Sequence, residues 1–319
     1  MRETLSRLLE MLADGHELTA AEFGAFSDLD KSAVAVVREK WGDLDVATRA
    51  LLLERAGEMA DVHLDMNFEA LGKLALDDPD PEVRERAVST LWESSDRAVA
   101  RRLAEMASSD PAIGVRAAAA LCLREFVEAI ESRDCDQETA AAVTAALKAA
   151  TEDSDIGVRA AGIEAAGALS QDWVADRILE AYEGEERELR VAAIRAMGAS
   201  ALERWTEYIA DQLYSGELEM RFEAVLAAGE LGSESLVEPL GELLVDDDPE
   251  VVLAVIEALG EIGGEEAVEL LNAFAPHVPE GMEDALEAAL GAAADMQLFR
   301  RFGERTGDGT DDEEEDEEE

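Results

Sequence analysis

The sequence predicts an all-α protein, an α-α superhelix (α-solenoid) of about eight helix pairs, on three observations. The first is a recurring phrase: an acid, a few residues, then an apolar residue, an Arg and a run of small residues. It reads Asp80-Pro81-Glu82-Val83-Arg84, Asp155-Ile156-Gly157-Val158-Arg159, Glu186-Arg187-Glu188-Leu189-Arg190 and Glu217-Leu218-Glu219-Met220-Arg221. The second is its beat. Arg159, Arg190, Arg221 and Val252 are each 31 residues apart, and self-similarity at a fixed period in this range marks a repeat array. The third is composition: 48% of residues are apolar but only 5% aromatic, and the dominance of Ala and Leu favours helices over strands.

Residues 1–27 read as an N-terminal helical cap, with Leu5, Leu8, Leu9 and Leu12 on one face. The array occupies 28–302. With the Arg as position zero, the aligned positions are Arg49, Arg84, Arg116, Arg159, Arg190, Arg221, Val252 and Glu283. Position −1 is apolar (Val83, Val115, Val158, Leu189, Met220, Val251), +3 is small (Ala87, Ala119, Gly162, Ala193, Ala224) and +7 is apolar. Those offsets share one helix face, so they form the buried stripe of the second helix in each pair. First helices precede them: Phe68-Leu71-Leu74-Ala75, Val174-Ile178-Leu179-Tyr182, Ile209-Leu213 and Leu236-Leu240-Leu243-Leu244. Asp80-Pro81 and Asp248-Pro249 supply N-caps with Pro in the first turn, and Gly184, Gly216 and Gly263-Gly264 close other helices.

One spacing is long, the 43 residues from Arg116 to Arg159. An extended helix and a protruding loop near Glu131–Gln137 would absorb the excess. Val252 and Glu283 replace Arg where the array ends, as expected of atypical terminal repeats. Residues 303–319, ending in Asp311-Asp312-Glu313-Glu314-Glu315-Asp316-Glu317-Glu318-Glu319, read as a disordered acidic tail.

The charge balance bounds the setting. Asp plus Glu number 76 against 27 Lys plus Arg, a net charge of −49, and Lys occurs only at 31, 40, 73 and 148. Self-repulsion of that size is severe in dilute buffer and is screened at about 1 M salt, where the Debye length is about 3 Å. The acidic, Lys-poor composition resembles that of proteins from extremely halophilic archaea. It also argues against nucleic acid, which requires a basic face. No apolar run is long enough to span a membrane, and Cys122 and Cys135 make neither a disulfide framework nor a zinc site. A cytoplasmic monomer is expected.

The phrase Asp-(Pro)-x-Val-Arg-x-x-Ala followed by Ala-Leu-Gly, best seen at Asp80 to Leu91, Asp155 to Leu169 and Asp248 to Gly263, resembles HEAT repeats of the short type grouped with phycobilin-lyase-like proteins. The resemblance covers about residues 28–296. It implies second helices lining a concave surface, suited to an extended protein partner. It also implies that Arg84, Arg116, Arg159, Arg190 and Arg221 form a structural ladder, pairing with neighbouring backbone and with the acid a turn earlier, a spacing kept by Asp80/Arg84, Asp155/Arg159, Glu186/Arg190 and Glu217/Arg221. The relatives include bilin lyases and deoxyhypusine hydroxylases, which hold two irons through repeated His-Glu pairs. Here the histidines are His16, His63 and His277, and only His16-Glu17 forms the dipeptide. No cofactor, metal or catalytic residue is therefore assigned.

The surface offsets +2, +5 and +9 lie opposite the core stripe. They name a candidate partner-binding face: Arg86, Glu93, Glu125, Glu164, Arg195, Glu223, Glu230, Glu257 and Glu261. Arg195 stands out as a cation in an anionic groove. Trp92, Trp173 and Trp205 are either anchors or, more commonly for such residues, core at repeat ends. The expected function is a non-catalytic protein-interaction scaffold or adaptor. The resemblance adds a link of some archaeal members to signalling or taxis. The alternative is an enzyme or enzyme subunit, a lyase or an oxidoreductase.

Overall fold

A computed structural model describes residues 2–63 and 65–307, with side chains described up to residue 296. All regular structure among the described residues is helical, and the chain is an all-α solenoid of helix pairs. It divides into two compact units, residues up to Arg177 and residues from Ile178 onward.

The first unit opens with α1 (Arg2–Ala13) and α2 (Ala20–Phe23), continuing in a 3-10 turn at Gly24–Phe26. Leu5, Leu8 and Leu9 are buried, and α1 packs on α3 (Lys31–Lys40). Then come α4 (Val46–Val62), α5 (Glu69–Ala75), α6 (Pro81–Ser89), α7 (Arg97–Ser109), α8 (Ile113–Cys122), α9 (Val127–Glu131), α10 (Gln137–Ala150) and α11 (Ile156–Ala166). The second helices form a row in which α4 packs on α6, α6 on α8 and α8 on α11, while first helices α7 and α10 pack on each other. The excess residues after Arg116 build a 3-10 turn (Leu123–Phe126) and α9, closed by Arg133 in the left-handed region at φ 65°.

Helix α12 (Asp172–Glu183) bridges the division in sequence. The second unit continues with α13 (Arg187–Ala199), α14 (Thr206–Leu213), α15 (Leu218–Leu231), α16 (Val237–Glu242), α17 (Pro249–Ile262), α18 (Gly264–Phe274) and α19 (Glu283–Gly307). Its second-helix row is α13 on α15, α15 on α17 and α17 on α19. Taken in chain order, the described helices fall into eight successive pairs, α3/α4, α5/α6, α7/α8, α10/α11, α12/α13, α14/α15, α16/α17 and α18/α19. The members of α5/α6, α7/α8, α10/α11, α14/α15, α16/α17 and α18/α19 pack on each other. Helix α19 runs to Gly307, past Gly303 where the sequence suggested a tail would begin; residues 308–319 lie outside the described residues.

The caps follow the sequence. Asp30, Asp45, Asp80, Asp96, Asp136, Asp155 and Asp248 each accept from backbone amides at the start of a helix. Each such carboxylate satisfies otherwise orphaned amides and meets the positive end of the helix dipole. The −1, +3 and +7 positions form the core as expected: Val83, Val115, Val158, Ala87, Ala119, Ala193, Ala224, Leu91 and Leu123 are all buried.

Candidate functional site

The Arg series is structural, but its acid partner differs from the expectation. Arg84 donates through Nε and Nη2 to both carboxylate oxygens of Asp110, at 2.9 and 2.8 Å. Arg116 does the same to Asp153 (2.9 and 3.1 Å) and Arg221 to Asp246 (2.8 and 3.2 Å). Arg49 stands 3.3 Å from Asp78, which also accepts from the Trp41 indole at 2.7 Å. The acid is thus the residue six before the Arg of the following repeat, in the turn between its two helices. The expected partners Asp80 and Asp155, four residues before Arg84 and Arg159, are occupied as N-caps. The guanidinium groups of Arg84 and Arg159 instead reach back to carbonyl oxygens of the turn, those of Asp78 and Pro79 and of Asp153 and Ser154.

The same turn acid receives three kinds of donor. Its backbone carbonyl accepts from the next repeat's Arg: Arg84 Nη1 on Asp78 O, Arg116 on Asp110 O and Arg159 on Asp153 O. Its carboxylate accepts from the amide two residues on, at Asp80, Ala112 and Asp155. From Arg49 to Arg159 this makes one continuous ladder inside the first unit. In the second unit the turn positions are Gly184 and Ser215, so Arg190 and Arg221 keep the carbonyl contacts there without that carboxylate. Arg190 instead stands 3.9 Å from Glu217.

The carboxylates of Asp110, Asp153 and Asp246 are held below their ordinary range. For Asp153 the leading cause is the Arg116 hydrogen bonds. For Asp110 and Asp246 burial pushes upward, but the bonds from Arg84 and Arg221 and from backbone amides outweigh it.

The surface offsets divide between the units. In the first, Arg86 is joined by residues of α4 that obey the same rule when it is applied to Arg49. Glu54 sits at +5 and Glu58 at +9, with Asp61 a turn further on. These residues, with Leu53, Gly57, Val88, Ser89, Thr90, Trp92, Ala118, Leu121 and Cys122, line a groove of about 540 Å³ across α4, α6 and α8. Arg86 pairs with Glu54 at 2.7 Å. Among the described residues, Glu58 and Asp61 carry no ion pair and both are exposed. Glu93 is exposed and lines a smaller neighbouring cavity of about 240 Å³ with Asn67 and Ser94.

Trp92 is the second departure. Trp41 and Trp205 are buried and Trp173 is half-buried, its indole donating to Gln171. Trp92 is 46% exposed at the mouth of the groove. The core reading therefore holds for Trp205 and fails for Trp92. Its register explains the exposure. It occupies position +8 of its repeat, where other second helices carry Gly198, Gly229 and Gly260.

Those glycines seal the second unit. A Cβ on Gly198 would lie 2.7 Å from Ala227 Cα, one on Gly229 3.1 Å from Ala258 Cα, and one on Gly260 2.9 Å from Ala289 Cα. Each +8 Gly therefore receives the +6 Ala of the next helix in near-backbone contact. Gly57 has the same +8 register in α4, yet a Cβ there would meet nothing within 4 Å. Helix α6 has only 9 residues against 13 and 14 in α13 and α15. Its +6 residue is Thr90, past the helix end, whose hydroxyl reaches Leu53 O at 3.3 Å. The short helix leaves the space that becomes the groove.

In the second unit Arg195 is not a free surface cation. It donates to both oxygens of Glu223, with Nε at 2.8 Å and Nη2 at 2.5 Å, and Glu223 is only 6% exposed. The pair links α13 and α15: Glu223 is buried and leaves the exposed face, while the Arg195 side chain stays 42% exposed with its charge paired. Of the remaining positions, Glu125 in the first unit and Glu230, Glu257 and Glu261 in the second are exposed, and Glu164 in the first is half-buried, 3.9 Å from Arg124. Partial burial, then the charge of Glu257, raises the carboxyl of Glu261.

The histidines lie apart. His16 contacts Met11 O, His63 caps α4 and His277 ends a 3-10 turn after α18. Cys122 is buried, its thiol pushed up to about 12 by burial and then by Glu125. No described helix is long and apolar enough to cross a membrane.

A family model described as HEAT repeats matches residues 68–148 and 206–291. Among solved structures, the Escherichia coli protein YibA is similar at 15% identity, covering 90% of this chain and 95% of that one, with a TM-score of 0.45. The CpcE–CpcF complex of phycocyanin lyase from Nostoc sp. PCC7120 is similar at 15% identity, over 70% of this chain and 94% of that one, with a TM-score of 0.49. Human deoxyhypusine hydroxylase in complex with glycerol is similar at 21% identity, over 92% and 97%, with a TM-score of 0.36. No curated protein sequence matches.

Proposed function

Because the chain belongs to the HEAT-repeat family, we propose that it is a non-catalytic protein-interaction scaffold whose partner docks on the second helices of its first unit. The observation that carries this reading is the groove across α4, α6 and α8. A repeat array closes its own second-helix row wherever it can, because small residues there let helices meet and remove surface from water. In this unit the row is left open, with an exposed tryptophan at its mouth. Large aromatic side chains at the edge of a concavity are the usual anchors of protein interfaces.

The setting fits a salt-filled cytoplasm. The net charge of −49 makes the compact state costly wherever the Debye length exceeds the spacing of surface carboxylates, and molar salt removes most of that cost. Affinity capture in molar salt, followed by mass spectrometry, tests the scaffold. The expected result is a reproducible protein partner held by the wild-type chain. Reproducible failure to recover one, or turnover of a small molecule by the purified chain, contradicts it.

A further inference from the structure

We propose that the groove of the first unit takes a cationic segment of its partner, one that sets a large apolar side chain against Trp92 and an Arg or Lys against Glu58 and Asp61. This rests on the scaffold reading and adds the chemistry of the occupant.

Three observations converge. The groove has an apolar floor of Leu53, Val88, Ala118 and Leu121, reached through the gap beside Gly57. Glycine inside a helix costs about 1 kcal/mol relative to alanine. In α13, α15 and α17 the corresponding glycines are demanded by a neighbouring helix, but no neighbour makes that demand of Gly57. What its missing side chain provides is access to the floor.

The second observation is Trp92. At the register where the second unit uses glycine, this repeat places its largest side chain and leaves 46% of it in water. An indole face at the edge of a groove favours apolar contact and a stacked guanidinium or ammonium.

The third is the charge of the lining. Its charged groups are Glu54, Glu58, Asp61 and Arg86, the Cys122 thiol being buried and neutral. Arg86 is spent on Glu54 at 2.7 Å, and this bond first of all raises the Arg86 guanidinium further. Glu58 and Asp61 follow on the same side of α4 without a described cation, one turn and two turns beyond Glu54. An anionic segment would meet two uncompensated carboxylates; a cationic one would complete them. Charge matching of this kind selects partners more than it adds affinity, so the apolar floor and Trp92 supply the grip.

The test uses the full chain in the salt at which it keeps full helicity. The probes are two fluorescein-labelled 14-residue amphipathic peptides with identical Leu positions, one with Arg at the polar positions and one with Glu. Binding is read by anisotropy against wild type, Trp92→Ala and the double variant Glu58→Gln/Asp61→Asn. The double variant alters only exposed, unpaired side chains, so its fold is secure, and far-UV circular dichroism verifies Trp92→Ala. The expected result is one-to-one binding of the Arg peptide at least about tenfold tighter than the Glu peptide, weakened about tenfold by either variant. Equal affinity for the two peptides overturns the proposal. So does an Arg-peptide affinity that neither variant changes, which would mean attraction to the acidic surface at large. A natural partner captured equally well by Trp92→Ala also overturns it while leaving the scaffold reading intact; capture of no partner by wild type defeats the scaffold reading instead.

Discussion

The two units solve the same stacking problem with different chemistry. From Arg49 to Arg159 the first unit links repeats through arginines and the turn aspartates Asp78, Asp110 and Asp153, each aspartate bonded to the Arg before it and the Arg after it. The second unit lacks two of those carboxylates, having Gly184 and Ser215 in their places, and brings its second helices together at Gly198, Gly229 and Gly260. Directional ion pairs fix one edge of the repeat and tolerate a gap elsewhere. Close helix approach instead brings α13, α15, α17 and α19 into near-backbone contact along the row. The groove is found where the ladder is continuous and the glycine contacts are absent.

The largest expected effect comes from cutting the ladder. Arg84 and Asp110 have side chains only 11% and 7% exposed. Asp110→Ala therefore strands a buried guanidinium and costs about 3 kcal/mol, since breaking a buried pair from one side is strongly destabilising. Hydrogen exchange should show the loss confined to the first unit. Equal loss in both units would erase the distinction drawn between them.

Next is the helix approach of the second unit. Gly198→Ala puts a methyl 2.7 Å from Ala227 Cα and is expected to cost about 2 kcal/mol in chemical unfolding, as overpacking does. Gly57→Ala, at the same repeat position, is expected to stabilise by about 1 kcal/mol. Opposite signs at equivalent positions are the sharpest mutational form of the comparison. If Gly57→Ala also destabilises, the gap beside it is not open.

Acid gives a smaller effect with a definite sign. The carboxyls of Asp110 and Asp153 are depressed in the folded state, so their contribution is complete above the unfolded value of about 3.9. It is lost as pH falls through the folded value. Protonating the many other carboxylates relieves repulsion at the same time. The quantity to measure is therefore the stability difference between wild type and Asp110→Asn, which should be constant above about pH 5 and shrink below about pH 4. A difference that grows in acid would contradict the assignment.

Smallest is the thiol contrast. Cys122 is buried with its pKa raised to about 12, whereas Cys135 is half-buried in a turn. Alkylation of the native protein at neutral pH should modify Cys135 first, because only the thiolate reacts.

The architecture was legible because the repeat phrase fixes phase and period together, and the −1, +3 and +7 stripe follows from helix geometry. The ladder's arginines were legible as structural residues; their acid partners were not. Asp78 and Asp80, Asp153 and Asp155, and Asp246 and Asp248 all stand two apart. Sequence spacing alone prefers the acid four residues before the Arg. The structure gives that acid to the helix-start amides and gives the Arg of one repeat to the turn acid of the next. The groove was half legible. The surface offsets named Arg86, and extending them back to Arg49 would have added Glu54 and Glu58. The exposure of Trp92 depends on α6 ending at Ser89, and no periodic pattern announces the length of one helix. Arg195 illustrates the reverse error: the +5 position links to the +2 position of the next repeat, Glu54 to Arg86 in the first unit and Arg195 to Glu223 in the second, where the offsets alone suggested free surface.

The most direct measurement is a hydrogen-exchange footprint of the chain bound to its captured partner in molar salt. The account predicts added protection in α4, α6 and α8, centred on Glu54 to Asp61 and Arg86 to Trp92, with α13, α15 and α17 unchanged. Protection centred on the sealed second-helix row of the second unit, with the groove still exchanging as in the free chain, would contradict it.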